Sequence, residues 1–237
     1  MRPAVFCMAL LLPALAGADS EVKKSRVANK TTYLAKSRLA DGSVWDVRWS
    51  DDYAIAGSRV IYVEKAWDET ESSFAGKVLS IVGPYISYQM FSDGYTEGAA
   101  HPWSHVTFET KHMGTGEVVE LTEIFSEAAI LEALLADSVI RRALEGQPPE
   151  SLGELFDRVD GGCEFNLSQR SLTSFAFHHI QEDKIAVRLG LSHGCEVQRG
   201  SFTQLGLALD IPSELREASR SAASRGLLMD ELMQLSY

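Results

Sequence analysis

Six histidines offer the most obvious chemistry in this chain of 237 residues. His101 and His105 stand four apart, with His112 further on. Residues four apart in a strand share a face, so two imidazoles can converge there. A zinc site needs three or four ligands held by supporting groups, and no CxxC or HExxH pattern supplies the rest. No metal and no cofactor is therefore expected. His178 and His179 are neighbours, and neighbours in a regular strand point to opposite faces, so this pair is not expected to act together.

Nucleophilic chemistry has no better footing. There is no GxSxG elbow and no phosphate-binding glycine loop. Ser, His and Asp are all present, but no spacing groups them into a triad. Asp51-Asp52 and the nearby Glu69 and Glu71 fall in expected loops. Solvated carboxylates fit there better than glycoside hydrolysis, which needs one carboxyl in an apolar pocket. No catalytic residue is assigned. An enzyme of unrecognised type stays open as an alternative.

The least ordinary stretch is Tyr95-Thr96-Glu97-Gly98-Ala99-Ala100-His101-Pro102. Its glycine and small residues let the backbone turn tightly between flanking strands. His101 precedes proline and is pushed toward an extended conformation, from which a hydrogen bond across the hairpin is the expected role.

The elements that must position these residues follow from periodicity. Thr31 to Leu39, Val44 to Trp49, Ser58 to Trp67, Lys77 to Met90 and Trp103 to Thr110 read as strands. Gly83-Pro84 is expected to bend the fourth of these or to mark a bulge at a sheet edge. Gly114-Thr115-Gly116 then turns into a return strand over Glu117 to Leu121. Ser126 is a good N-cap for a principal helix running to about Gly146, and a short helix covers Leu152 to Arg158. Strands return at Glu164 to Leu167, Leu172 to His178, Lys184 to Leu191 and Thr203 to Leu209. A C-terminal helical segment follows Pro212, with Leu215, Leu227, Leu228, Leu232 and Leu235 as apolar points. Docking on the sheet is expected for it, with dimerisation as the other reading. Strands, then helix, then strands imply an α+β fold, a mainly antiparallel sheet packed with one principal helix and the C-terminal segment.

Residues 1–18 have the layout of a secretory signal peptide: Arg2, an apolar run from Val5 to Leu15, then small residues with cleavage after Ala16 or Ala18. The run is shorter than the roughly 20 residues a membrane span needs, so no transmembrane segment is expected after cleavage. A periplasmic or secreted location follows. Residues 19–237 read as a single domain, since 45% hydrophobic residues can fill a full core without disulfides. Cleavage removes Arg2 and no acidic residue, moving the formal net charge from −11 to −12. Such a charge repels nucleic acid and favours a cationic partner, or simply keeps the protein soluble. Cys163 and Cys195 would remain, each between glycine and glutamate. In an oxidising compartment the pair is expected to form a disulfide, worth roughly 3–4 kcal/mol for such a loop; two free thiols or a redox pair are the alternatives.

Ser87-Tyr88-Gln89-Met90 through YTEGAAHP resembles the Y-x-GGAHP signature of the RsiV-like extracellular domain family. That domain is found in anti-sigma factors and beside the catalytic domain of peptidoglycan deacetylases. The likeness continues through Thr115-Gly116-Glu117, Leu121-Thr122-Glu123-Ile124-Phe125 and Phe165-Asn166-Leu167-Ser168, covering about residues 77–211. Gly98-Ala99 stands where the family has Gly-Gly, and the late Y-x-I-x-PYA-x-G motif is replaced by Leu191-Ser192-His193-Gly194-Cys195. The resemblance implies a non-catalytic binding protein of the cell envelope, recognising a basic lysozyme-like wall hydrolase or peptidoglycan. An envelope hydrolase acting on glycan or peptide bonds is the alternative. Candidate contacts lie around Asp93 to Trp103 and His193 to Ser201, with Asp93, Tyr95, Glu97, His101, Trp103 and Glu196 as binding residues.

Overall fold

A computed structural model describes residues 22–27, 30–39, 42–65, 72–144, 146–159, 166–191 and 203–235. The expected signal peptide, Cys163, Cys195 and Glu196 lie outside the described residues.

Alternation of side chains builds the first layer, an antiparallel meander of β1 (Lys23–Val27), β2 (Lys30–Arg38), β3 (Val44–Trp49), β4 (Tyr53–Ala56) and β5 (Arg59–Val63). In β3, Val47 and Trp49 are buried while Asp46 and Arg48 face solvent, the two-residue period of a half-buried strand. A second sheet joins β6 (Ser72–Val82), β7 (Tyr85–Gly94) and β8 (Trp103–His112). The expected single bent strand over Lys77 to Met90 is instead a hairpin. Gly83, at φ +54°, and Pro84 form the two-residue turn between Val82 and Tyr85. The return strand expected after Gly116 is reduced to one bridge between Lys111 and Val118.

The expected principal helix is two. Ser126 caps α1 (Glu127–Ala136), accepting from the Ala129 amide. Asp137 is extended, and its carboxylate accepts from the Val139 and Ile140 amides. It thereby ends the first helix and starts α2 (Ser138–Ala143). Ser151 caps α3 (Leu152–Arg158) in the same way. Asn166 and Leu167 are not strand. A 3-10 turn over Gln169–Thr173 delays the next strand to Phe175.

The third sheet is β9 (Phe175–Gln181), β10 (Lys184–Leu191) and β11 (Thr203–Asp210), ordered β11-β10-β9. The C-terminal segment is α4 (Arg216–Ser224) and α5 (Met229–Gln234), bent at Gly226, φ +67°. Leu215, Leu227, Leu228 and Leu232 are buried, so it docks on the rest of the chain. The α+β class with antiparallel pairing holds; the strands are shared among three sheets.

The β6–β8 sheet is the middle layer. Toward the meander it presents Gly76, Val78 and Tyr88, with the Tyr62 and Tyr88 ring centroids 5.2 Å apart. A Cβ at Gly76 would stand 2.6 Å from the Tyr62 ring, so glycine permits this approach. Toward the third sheet it presents Ser87, Phe108 and Thr110, all buried. There it meets the outer edge of β9. The Gly190 amide donates to the Ser174 carbonyl, so alternation aims the backbone polar groups of Phe175 and Phe177 away from β10. Hydroxyls meet two of them: Thr110 Oγ1 donates to the Phe175 carbonyl at 2.6 Å, and the Phe177 amide donates to Ser80 Oγ at 3.2 Å. The Phe108 amide donates to Ser174 Oγ at 3.1 Å in the same seam. The edge strand is thus closed by small side chains instead of another strand.

Candidate functional site

The register of β7 and β8 brings the expected binding residues to one end of the middle sheet. Asp93 pairs with Ser104 and Gly94 with Trp103. The Ser73 hydroxyl donates to the Asp93 carboxylate. Between the strands, Tyr95 Oη donates to the Ala99 carbonyl at 2.9 Å, the Ala99 amide donates to Thr96, and Gly98 sits at φ +82°. These bonds fix the loop. The indole of Trp103 lies over Gly94, where a Cβ would come within 2.3 Å of it.

Three large rings surround this tip, with Phe91 42%, Tyr95 39% and Trp103 41% exposed. Phe91 opposes Val106 while Trp103 opposes Gly94, so by parity the two rings stand on opposite faces of the hairpin. Asp93, Tyr95, Glu97, His101 and Trp103 all lie at this end of the hairpin, with Asp93 and Trp103 on opposite faces by the same parity, and Glu196 lies outside the described residues. His101 is exposed in the bend before β8 and makes no hydrogen bond among the described residues, so the expected bond across the hairpin is absent. His105 lies on β8, opposite Ser92. The two do not share a strand, because β8 begins at Trp103.

The hairpin is anchored at its root by a polar cluster against the meander. Tyr88 donates to Glu109, Lys111 pairs with Glu109 at 3.1 Å, and Lys111 also donates to the Ile61 carbonyl at 3.2 Å. Burial, then the Glu109 hydrogen bond, pushes the Tyr88 phenol far above its usual range. Tyr88 is thus a neutral donor that orients the sheet.

A second constellation contradicts the sequence reading. His178 and His179 face each other, Nδ1 to Nδ1 at 2.7 Å, with Asp230 of α5 beside them. The cause is a β-bulge. Ala186 pairs with His179 and Val187 with Phe177, so His178 is the extra residue and neighbouring side chains reach the same side. Among the described residues this is the one group of three His, Cys, Asp or Glu residues whose ligand atoms all lie within 4.8 Å of one another. All three side chains are half-buried. Burial, the Arg188 cation and His179 hold His178 below the usual imidazole range. Burial and the adjoining Asp230 carboxyl push Glu231 up to about 7.

The sequence carried a signal for the bulge. Phe175 and Phe177 are buried on odd positions, and the next apolar residue to pack on the core is Ile180. That change of parity across His178-His179 marks an inserted residue.

No protein-family model, curated protein or solved structure matches the chain.

Proposed function

We propose that the chain is an exported, non-catalytic binding protein of the cell envelope that captures a basic, lysozyme-like wall hydrolase through the β7–β8 tip. The observation behind this reading is three rings at one end of the hairpin, Phe91, Tyr95 and Trp103, each about two-fifths exposed beside one internally bonded loop, with Phe91 and Trp103 on opposite faces. Exposed aromatic rings on a rigid support are the usual anchors of protein interfaces. Asp93 and Glu97 flank them, and the chain's net charge of −11 would draw in a cationic partner. The signal-peptide layout and the RsiV-like signature around this same loop point the same way.

The test is capture of envelope proteins on the purified chain at low and moderate salt. Retention of a basic wall hydrolase at low salt, weakened by Trp103→Ala, supports the reading. Retention of peptidoglycan alone would replace the partner. Turnover of wall glycan or peptide without any such capture would move the chain to the envelope hydrolases.

A further inference from the structure

We propose that His178, His179 and Asp230 form a binding site for a divalent transition-metal ion of the zinc class, which fastens β9 to α5. Two imidazoles and one carboxylate make a borderline donor set of the kind zinc takes, with a fourth position left for water. The site stands apart from the β7–β8 tip and does not depend on the function proposed for it.

The geometry is close to what such an ion requires. Two imidazole nitrogens on tetrahedral zinc stand roughly 3.3 Å apart, given Zn–N bonds of about 2.05 Å. Here the two Nδ1 atoms are 2.7 Å apart, so the rings must part by roughly half an ångström. At 2.7 Å one nitrogen must carry the proton that bonds the two rings together. Transfer of that proton through solvent to Nε2 of the same ring leaves both imidazoles neutral and frees both Nδ1 lone pairs to face one ion. The Asp230 carboxylate, within 4.8 Å of a ring nitrogen of each histidine, closes the set by a small side-chain movement.

The scaffold suits this role. His179 lies within the β10 ladder, His178 is held by the bulge, and the outer edge of β9 is pinned by Thr110 and Ser80. Both histidines are thus set on rigid backbone, which is what a metal site needs. Asp230 comes from α5, which packs on β6 and β9. Arg188 opposes a cation here, and the Asp230 carboxylate stands against it.

The experiment is calorimetric titration of the thiol-blocked protein with Zn²⁺, repeated with Co²⁺ to read coordination from visible absorption. One ion should bind per chain with micromolar or tighter affinity. His178→Ala, His179→Ala and Asp230→Asn should each weaken it at least tenfold, whereas His101→Ala with His105→Ala should leave it unchanged. Zn²⁺ at about a hundred times the dissociation constant should raise the wild-type Tm by several degrees and leave the three variants unmoved. Circular dichroism of the metal-free variants confirms their fold, and Asp230→Asn removes the charge while keeping the side-chain shape. Absence of stoichiometric binding, or binding that survives any one of the three substitutions, overturns the site.

Discussion

Thr110 and Phe175 are joined across two sheets: the Thr110 hydroxyl donates at 2.6 Å to the carbonyl on the outer edge of β9. Ser87 Oγ lies 2.8 Å from the same Thr110 oxygen, and both residues are fully buried. Thr110→Val keeps the shape and removes the donor, leaving a buried carbonyl unpaired. A loss of about 1–3 kcal/mol is expected in urea unfolding. Ser87→Ala should cost less, since Thr110 keeps its bond to Phe175. Equal losses would mean that the hydroxyl contact does not cap the strand.

Gly94→Ala tests the aromatic tip without touching the core. A methyl group there collides with the Trp103 indole, which must leave its seat on the strand. Capture of the partner should fall by about tenfold or more, as for loss of an interface anchor, with Tm shifted little. Trp103→Ala should match it. Full binding by both variants would place the interface elsewhere.

Charge at the tip should act on encounter. Glu97→Lys together with Asp93→Asn is expected to slow association by about tenfold at low salt and to lose most of that effect near 1 M salt, where exposed charges are screened. Stopped-flow or surface-binding rates at several ionic strengths decide this. A difference that persists at high salt would argue for direct contact instead of steering.

Gly76→Ala is expected to destabilise by about 1–3 kcal/mol, because the added methyl overlaps the Tyr62 ring at 2.6 Å between two packed sheets. Tyr62→Ala in the same chain should relieve the clash while losing its own packing, so the two effects should add to less than their sum. A double-mutant cycle by thermal unfolding measures the coupling.

The α+β class was legible because strand alternation and helix caps are local. Val47 and Trp49 against Asp46 and Arg48 set the face of β3, while Ser126 and Ser151 opened helices as their types dictate. Breaks inside elements were harder to see. Gly83-Pro84 is equally compatible with a bend or a reversal, and only pairing of Val82 with Tyr85 decides for the hairpin. Asp137 splits the long helix because its carboxylate prefers the amides of Val139 and Ile140, a choice that helical spacing of Leu134, Leu135 and Ile140 does not reveal. The tip residues were found as one continuous stretch of sequence. Asp230 was not, because it reaches the histidines only through the docking of α5 on β9.

The bulge at His178 makes the histidine pair depend on residue count as much as on residue type. Deleting either histidine would put β9 back in step with β10, so Phe177 and Ile180 would then keep a common parity along the strand. A single-codon deletion there would therefore be tolerated by the sheet while erasing the paired imidazoles. Length variation at this point is a cleaner genetic handle than substitution: a variant one residue shorter keeps the fold and discards the chemistry.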